Sequence, residues 1–312
     1  MKEKLRRPSR RAARAAVPAL AALLSLSSCA VLRAGGSVEK VFLAEEDLVI
    51  AEATLPVLIK ASEALLAGDP KDGGKAVTTA SLYVMYASAF VSGPADLLPD
   101  EEYEAKGRAA RRAQALYRRA SRLLLPLLED RAPGFLAADS DESAASKLSR
   151  FRKDDLPLLY WTAASLLGAF SIDPLSFEGA KGLLPARRLL ARASALDPAW
   201  NSGALEELNL SLYASLPDYL GGSLEEAEKA YLRALEYSGG KSASVYVTYA
   251  TSIAVVHDDY AAFKDALRKA LAVDDEALPG SRLPNALAKD RAERLLAQPE
   301  RYFLTTEGDP AP

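Results

Sequence analysis

Hydrophobic residues from Leu48 onward recur at intervals of three and four positions, the spacing that places them on one face of an α-helix. The first segment carries apolar or small residues at Leu48, Ala51, Leu55, Leu58, Ala61 and Leu65. Gly68-Asp69-Pro70 ends this segment, and Pro56 inside it predicts a kink because proline cannot donate a backbone hydrogen bond. The sequence therefore predicts that the domain begins with an amphipathic helix.

The same periodicity predicts helices along most of the remaining chain. Gly93-Pro94 follows the first of these helices. The predicted helices cover residues 77–91, 101–128, 155–170, 175–195, 203–216, 223–238, 243–256, 258–273 and 284–298. Residues 131–150 contain Pro133-Gly134 and an acidic cluster from Asp139 to Glu142, and we expect them to form a long loop. No segment shows the signal of a β-hairpin, so the predicted fold class is all-α.

Four helical segments repeat one layout, in which an alanine ends a set of three spaced residues. They are Ala113-x3-Tyr117-x2-Ala120, Ala186-x3-Leu190-x2-Ala193, Ala227-x3-Tyr231-x2-Ala234 and Phe263-x3-Leu267-x2-Ala270. Their last alanines lie 73, 41 and 36 residues apart, whereas the tetratricopeptide repeat (TPR) has a period of about 34 residues. The pattern predicts TPR-like helical hairpins stacked as an α-solenoid, with an inner surface open to ligands.

The N-terminal segment has the layout of a secretory signal. Seven basic side chains lie in residues 1–28, and the apolar run from Ala15 to Leu26 is too short to span a membrane. Leu26-Ser27-Ser28-Cys29 resembles the bacterial lipobox, whose cysteine receives lipid and becomes the mature N-terminus. The alternative is a plain secretory signal beside an incidental cysteine. Because Ala30 and not aspartate follows Cys29, the enteric sorting rule favours the outer membrane.

Charge and residue counts argue against several classes of function. The net charge is −3, and removing the seven basic and one acidic side chains of residues 1–28 leaves −9, a poor match for nucleic acid. One cysteine forms neither an internal disulfide nor a multi-thiolate metal site. His257, next to Asp258, is either a base or, as we favour, a turn residue. No nucleophile or phosphate-binding motif accompanies it, so we predict neither an enzyme nor a cofactor.

Aromatic side chains supply most of the candidate binding residues, since they combine a large apolar surface with a polar group. The segments Leu82–Ala87 and Val245–Ala250 echo each other, and each has two tyrosines three positions apart on one helix face. The alternative role of each aromatic ring is packing between helices. The alternative role of Asn285 is to lie in a helix that seals the end of the solenoid. The candidate ligand- or partner-binding residues are Tyr83, Tyr86, Tyr160, Trp161, Tyr246, Tyr249 and Asn285.

Segments spread over residues 47–303 resemble, in their order, the T-component of TPR-associated TRAP transporters, the TatT lipoprotein family. They are Leu55-Pro56-Val57-Leu58-Ile59-Lys60, Tyr83–Val91, Leu159-Tyr160-Trp161, Leu196-Asp197-Pro198 with Gly203, Leu220-Gly221-Gly222, Val247-Thr248-Tyr249-Ala250, Leu283-Pro284-Asn285 and Ala292–Leu296, together with Cys29. The resemblance implies a periplasm-facing lipoprotein that forms a homotrimer, has a channel-like cavity through each protomer, and docks a periplasmic solute-binding protein, the TRAP P-component. It also implies that the chain helps this partner pass a small organic ligand toward an ion-driven permease.

These inferences predict four segments: a signal peptide (1–28), a lipidated tether (29–46), the helical domain (47–303) and a disordered tail (304–312). The alternative function is a TPR lipoprotein that scaffolds outer-membrane protein assembly. Its groove would be lined by Asn, Lys and Arg, whereas the transporter subunit would present Tyr and small apolar residues. An envelope hydrolase is disfavoured because no nucleophile motif accompanies the one histidine.

Overall fold

The computed structural model describes residues 42–174, 176–274 and 280–303. The chain divides into residues 1–43, of which Phe42 and Leu43 are described, and a second unit, Ala44–Pro312, which contains every helix named below. The predicted signal sequence, Cys29, most of the predicted tether and the predicted tail lie outside the described residues.

The described part of the second unit is built from α-helices and short 3-10 or π-helical turns, without a strand, which confirms the predicted all-α class. In chain order the helices are α1 (Leu48–Gly68), α2 (Gly73–Ala87), α3 (Gly93–Asp96), α4 (Tyr103–Arg131), α5 (Asp141–Leu148), α6 (Leu156–Ile172), α7 (Phe177–Leu196), α8 (Trp200–Ser215), α9 (Leu224–Ser238), α10 (Ala243–Tyr249), α11 (Tyr260–Leu271) and α12 (Arg282–Leu296).

Local side chains fix several helix ends. Asp47 accepts hydrogen bonds from the backbone N–H groups of Val49 and Ile50 at 2.9 and 3.1 Å, which satisfies donors that the first turn of α1 leaves open. At the C-terminal end of α9, Gly239 adopts a left-handed conformation (φ 60°). Glycine tolerates this conformation without a steric penalty, so the chain can turn sharply there.

Helices that follow one another in the chain pack together, as in the pairs α1–α2, α6–α7, α8–α9 and α10–α11. The residues of the repeated layout lie on helices of these pairs or on α4, which packs against α2 and α6, and small side chains let helix backbones approach closely. The alanines of the layout are fully buried: Ala113, Ala120, Ala186, Ala193, Ala227, Ala234 and Ala270. The repeat pattern in the sequence therefore marks the interior of the helical packing.

Two glycines show how tight this packing is. A Cβ atom on Gly168 of α6 would lie 2.4 Å from Cε1 of Tyr117 on α4, so the tyrosine ring covers the glycine directly. Gly203 has φ 91° near the start of α8, and a Cβ there would lie 3.2 Å from the carbonyl oxygen of Ala234 on α9. Both helix pairs approach at distances that a side chain at the glycine would prevent.

The first and last parts of the domain also touch. Helix α12 packs against α1, and the guanidinium of Arg301 donates to the carbonyl oxygens of Leu97, Leu98 and Asp96 at 2.6, 2.9 and 3.2 Å. These carbonyls lie at the end of α3, where the helix leaves acceptors without intrahelical donors. A contact between the terminal helices is not expected of an open solenoid, in which each repeat meets only its neighbours.

The structure differs from the sequence prediction in the bounds of some helices and in two π-helical turns. The expectation of a loop over residues 131–150 is wrong for Asp141–Leu148, which forms α5. Ser140 caps that helix, and Asp141 and Glu142 lie in its first turn, where carboxylates interact well with the helix dipole. The expected helix over 77–91 begins earlier, at Gly73, and Gly93-Pro94 does not end the helical path but opens α3.

The second difference concerns the two segments that echo each other in sequence. Helix α2 passes into a π-helical turn at Ser88–Ser92, and α10 passes into one at Ala250–Ala254. The predicted continuous helix over 243–256 is therefore interrupted after Tyr249. The similarity between the two segments thus extends to the backbone, because in both of them two tyrosines precede the same rare π-helical turn.

One described helix is long and apolar enough to satisfy the criteria for a membrane span, at Lys153–Ile172. This segment includes α6, which packs against α4 and α7 and has buried side chains such as Leu159 and Ala163. Core helices of globular domains satisfy the same criteria, and the packing of α6 makes it one of the core helices of this domain.

Candidate functional site

Tyr83 and Tyr86 of α2 lie beneath arginine side chains of α4. The Tyr83 side chain, 3% exposed, donates a hydrogen bond to Glu63, and the guanidinium carbon of Arg119 lies 5.8 Å from the centre of its ring. Burial raises the pKa of the Tyr83 hydroxyl, and the hydrogen bond to Glu63 adds to the rise. The guanidinium of Arg112 donates to the Tyr86 hydroxyl at 2.8 Å and lies 5.2 Å from the ring centre. Both tyrosines therefore orient arginines at the surface.

Helix α4 carries a stripe of exposed arginines at helical spacing, which we call the arginine face. Residues 105–128 contain seven basic side chains and no acidic ones, in a chain whose overall net charge is −3. Glu104, just before this stretch, lies 3.6 Å from Arg108. The arginine face consists of Arg108, Arg111, Arg112, Arg118, Arg119 and Arg122, all exposed.

Two surface hollows open beside the arginine face. The first, of about 510 Å³, lies between α1, α2 and α4, and it is lined by Glu63, Leu66, Ala67, Pro70, Thr79, Tyr83, Arg119, Arg122 and Leu123. The second, of about 410 Å³, is lined by Tyr103, Glu104, Gly107, Arg108 and Arg111. Tyr103 is 71% exposed, so this surface offers an aromatic ring as well as cationic groups.

Tyr160 and Trp161 of α6 meet a third aromatic ring that the sequence analysis did not single out. The ring centre of Tyr160 lies 5.0 Å from that of Trp161 and 5.0 Å from that of Trp200, at interplanar angles of 78° and 52°. All three side chains are partly exposed. Such edge-on and tilted arrangements suit aromatic rings, and they leave ring faces available to other groups.

The backbone after Trp200 adopts an uncommon conformation. Asn201, Ser202 and Gly203 have φ angles of 49°, 55° and 91°, so three successive residues are left-handed. For asparagine and serine this conformation costs about 1–2 kcal/mol each relative to the right-handed form. Contacts elsewhere in the domain must supply that energy.

Glu207 of α8 is a further polar residue that the sequence analysis missed. Its two carboxylate oxygens accept hydrogen bonds from the hydroxyls of Ser244 and Thr248 of α10, at 2.8 and 3.3 Å. Burial raises the pKa of the Glu207 carboxyl, while these hydrogen bonds oppose the rise. Burial also raises the pKa of the Tyr160 hydroxyl, and the nearby charge of Glu207 adds to that effect.

We refer to this region as the aromatic–acid cluster. It comprises the three rings of α6 and α8, and the Glu207 carboxyl with its two hydroxyl partners from α10, which is linked to the rings through its effect on the pKa of Tyr160. Its members come from segments that are far apart in the sequence, so no local motif marks them. The cluster consists of Tyr160, Trp161, Trp200, Glu207, Ser244 and Thr248.

The remaining candidate residues make contacts within the domain. The Tyr246 hydroxyl lies 3.4 Å from the carbonyl oxygen of Gly240, and the Tyr249 ring stacks on Tyr231 with centres 4.3 Å apart. Asn285 is fully buried; its Oδ1 accepts from the backbone N–H of Ala243 at 2.9 Å, and its Nδ2 donates to the carbonyl oxygen of Lys241 at 3.2 Å. Asn285 thus ties α12 to the start of α10. The predicted role of these three residues in binding stays a prediction.

His257 lies on the surface, where its Nε2 is 3.3 Å from a carboxylate oxygen of Glu228. Its backbone N–H donates to the carbonyl oxygen of Ile253, so the residue belongs to the turn that follows the π-helical segment. In the described part of the chain, no three His, Cys, Asp or Glu side chains come close enough to hold a metal ion.

Comparison with known proteins gives this architecture a family. The family model described as TRAP transporter T-component (TAtT) matches residues 44–303, which include every helix described above. A protein of Treponema pallidum (strain Nichols) that bears the name uncharacterized protein is 35% identical over 268 residues, covering 85% of this chain and 83% of the relative. The match takes in both the arginine face and the aromatic–acid cluster. The chain therefore belongs to the TRAP transporter T-component family.

Proposed function

We propose that this chain is a periplasm-facing lipoprotein accessory subunit of a TRAP-type solute transporter. It docks a periplasmic solute-binding protein and helps that partner pass a small organic ligand. The observation that carries the proposal is the family match over residues 44–303, which spans the whole described helical domain after its first two residues. Membership of a transporter-component family also supports a location at the cell envelope.

The proposed anchor is a lipid on Cys29. The apolar run before it ends in Leu26-Ser27-Ser28, which resembles a lipobox, and the proposed lipidated tether to α1 comprises residues 29–46. One acyl chain binds a membrane only marginally, whereas the several chains of a bacterial lipoprotein hold firmly. Ala30 supports an outer-membrane location facing the periplasm.

The proposed fold of the domain is a stack of TPR-like helix pairs. The burial of the repeated alanines supports this reading, and so does the packing of successive helices. The proposed oligomer is a homotrimer. Its support is the family resemblance and a row of exposed apolar side chains on α1, Val49, Ile50 and Val57, which another copy of the chain would cover. Light scattering of the purified protein measures its mass directly.

The proposed docking surface for the solute-binding protein is the arginine face. Arginine and tyrosine are enriched at the centres of protein interfaces, and here Tyr83 and Tyr86 hold two of the arginines in place. The two hollows beside the arginine face are recesses that side chains of a partner can enter. A cationic surface on an otherwise acidic chain selects a partner with an acidic surface, because charge complementarity guides encounter and register.

Affinity capture from native membranes tests the proposal. The tagged, lipidated protein is solubilised in maltoside detergent, and the solute-binding protein encoded beside its gene is expected to co-purify. The double charge reversal Arg111→Glu/Arg122→Glu places one change at each hollow and is expected to abolish capture. The double reversal Arg150→Glu/Arg268→Glu, at two exposed arginines outside α4, changes the net charge equally; it is the matched control and should leave capture intact. If the wild-type protein retains no solute-binding protein, the transport assignment fails.

The same experiment addresses the alternative, a scaffold for outer-membrane protein assembly. Arg119 and Arg122 line the larger hollow, and a cationic groove is the feature that favours this alternative. In that case the captured proteins would be outer-membrane β-barrel proteins or their assembly machinery. The apolar residues Leu66, Ala67 and Leu123 of the same hollow support the transporter reading.

A further inference from the structure

We infer that the larger hollow, which lies between α1, α2 and α4, binds an amphiphilic anion, a ligand with one anionic head and an apolar body. The inference rests on the proposed function and deepens it, since it names the chemical class of the small organic ligand. The juxtaposition that carries it is an apolar surface beside two guanidinium groups that form no ion pair with any of the described residues.

The hollow has the size and composition of a small-molecule site. Its volume of about 510 Å³ lies within the range of about 300–1,000 Å³ that ligand pockets have, and such pockets are mostly apolar with a few polar groups. Leu66 and Ala67 of α1, Pro70 of the turn after it, and Leu123 of α4 supply apolar surface. The apolar body of a ligand would lie against these side chains, because its burial there removes apolar area from water.

Two arginines of α4 supply positive charge to the same hollow. The guanidinium carbon of Arg119 lies 5.8 Å from the ring centre of Tyr83, and Nε of Arg122 donates to the carbonyl oxygen of Arg118 at 3.2 Å. This bond leaves the two terminal nitrogens of Arg122 as donors for a ligand. A guanidinium group presents its N–H donors as a planar fork that fits a carboxylate, so the two arginines favour an anionic head.

The acidic side chain that lines the hollow has its charge balanced within the chain. Glu63 accepts hydrogen bonds from the ammonium group of Lys60 and from the hydroxyl of Tyr83. The hydrogen bond from Lys60 lowers the pKa of the Glu63 carboxyl, so this carboxyl is ionised at neutral pH and pairs with Lys60. The positive charge of the two arginines therefore stays available to an anionic ligand.

The hollow opens beside the arginine face, the proposed docking surface for the solute-binding protein. A ligand in the hollow would lie between the two proteins, where the docked partner covers it. A carboxylate side chain of the partner has the same head group as the proposed ligand. The tests therefore measure free ligand and partner separately.

Titration of the protein alone with short amphiphiles tests the inference. The lipidated protein is placed in nanodiscs of zwitterionic phosphatidylcholine, and binding is followed by saturation-transfer NMR, with empty nanodiscs as the blank. Affinity should rise from hexanoate through heptanoate to octanoate by up to about fourfold per methylene group, the factor for complete burial of that group. Octanedioate places a second charge on the apolar surface, so it should bind about tenfold more weakly than octanoate.

Substitutions separate the charge of the hollow from its shape. Arg122→Gln removes one positive charge and keeps a polar side chain, and it should weaken octanoate binding about tenfold while leaving binding of neutral hexan-1-ol unchanged. Arg150→Gln, the same change at an exposed arginine outside α4, is the matched control and should leave both affinities unchanged. Ala67→Phe fills the hollow from an exposed position, and it should abolish octanoate binding with an unchanged circular dichroism spectrum.

Three results would overturn the inference: no saturable binding of octanoate, equal affinity for octanoate and octanedioate, or unchanged octanoate binding in Arg122→Gln and Ala67→Phe. If octanoate fails to bind while Arg111→Glu/Arg122→Glu still abolishes capture of the solute-binding protein, the hollow serves the partner alone and the ligand inference is refuted. If octanoate binds as expected but no partner is captured, the ligand site is supported and the proposed docking fails. The two failures are therefore distinguishable.

Discussion

The substitution Gly168→Ala tests the close packing of α4 on α6. A Cβ atom at residue 168 would lie 2.4, 2.5 and 2.7 Å from Cε1, Cζ and Cδ1 of Tyr117. Carbon atoms in contact normally stay about 3.5–4.0 Å apart, so the ring or the helix must move by about 1 Å. Tyr117 is buried, and burial raises the pKa of its hydroxyl, while the nearby hydroxyls of Ser92 and Ser88 oppose the rise. The ring therefore has little room to yield.

The expected magnitude follows from two opposing effects. Overpacking of a filled interior costs about 1–3 kcal/mol, while replacing glycine by alanine inside a helix gains about 1 kcal/mol. The two effects leave a net cost between about 0 and 2 kcal/mol, so we expect Gly168→Ala to lower the free energy of unfolding by up to about 2 kcal/mol, which lowers Tm by up to about 8 °C for a domain of this size. Urea unfolding followed by far-ultraviolet circular dichroism measures the change.

Gly68→Ala is the matched control for Gly168→Ala. Gly68 is the last residue of α1, and no atom lies within 4 Å of a Cβ built there, so its change should stay within about 0.5 kcal/mol. Tyr117→Ala removes the ring, and in that background Gly168→Ala should stabilise the protein because the new methyl group enters vacated space. If Gly168→Ala destabilises the protein equally with and without the ring, the steric explanation is incorrect.

Three further predictions concern other parts of the chain. Asn285→Ala leaves the buried N–H of Ala243 without its 2.9 Å acceptor, and it should lower the free energy of unfolding by about 1–3 kcal/mol in urea titration, whereas a neutral result would mean that water replaces the amide. Arg301→Ala removes the donor to three carbonyl groups after α3 and should lower Tm, while exposed Arg150→Ala should not; equal effects would refute the capping role. Cys29→Ser should leave the protein unlipidated, and membrane fractionation followed by immunoblotting should move it to the soluble fraction; persistence in washed membranes would contradict the lipid anchor.

The sequence predicted much of the helical fold because the periodic apolar pattern and the packing use the same residues. Ala51 and Leu55 mark the face of α1 that is buried, and the repeated alanines mark helix contacts. Helix α5 escaped prediction because it spans eight residues in an acidic segment with few apolar positions. The π-helical turns were not predicted, because a helix-forming sequence does not show whether a backbone N–H bonds to the carbonyl four or five residues earlier.

The candidate sites were predictable in a more limited way. Tyr160 and Trp161 stood out because aromatic residues are scarce, but Trp200 and Glu207 gain their significance only from contacts between α6, α8 and α10. A signal for Glu207 did exist, since Glu206-Glu207 interrupts an otherwise uncharged run in α8. The sequence could not show that Arg233 neutralises one of these acids and that only hydroxyls contact the other.

The most direct test of the transporter assignment is a binding titration between purified components. The solute-binding protein encoded beside the gene is titrated into the lipidated protein by calorimetry, at low and at physiological ionic strength. We predict saturable binding that weakens as salt increases, because the arginine face contributes charge attraction that ions screen. Absence of binding by a folded solute-binding protein at either ionic strength, with and without its ligand, would contradict the account.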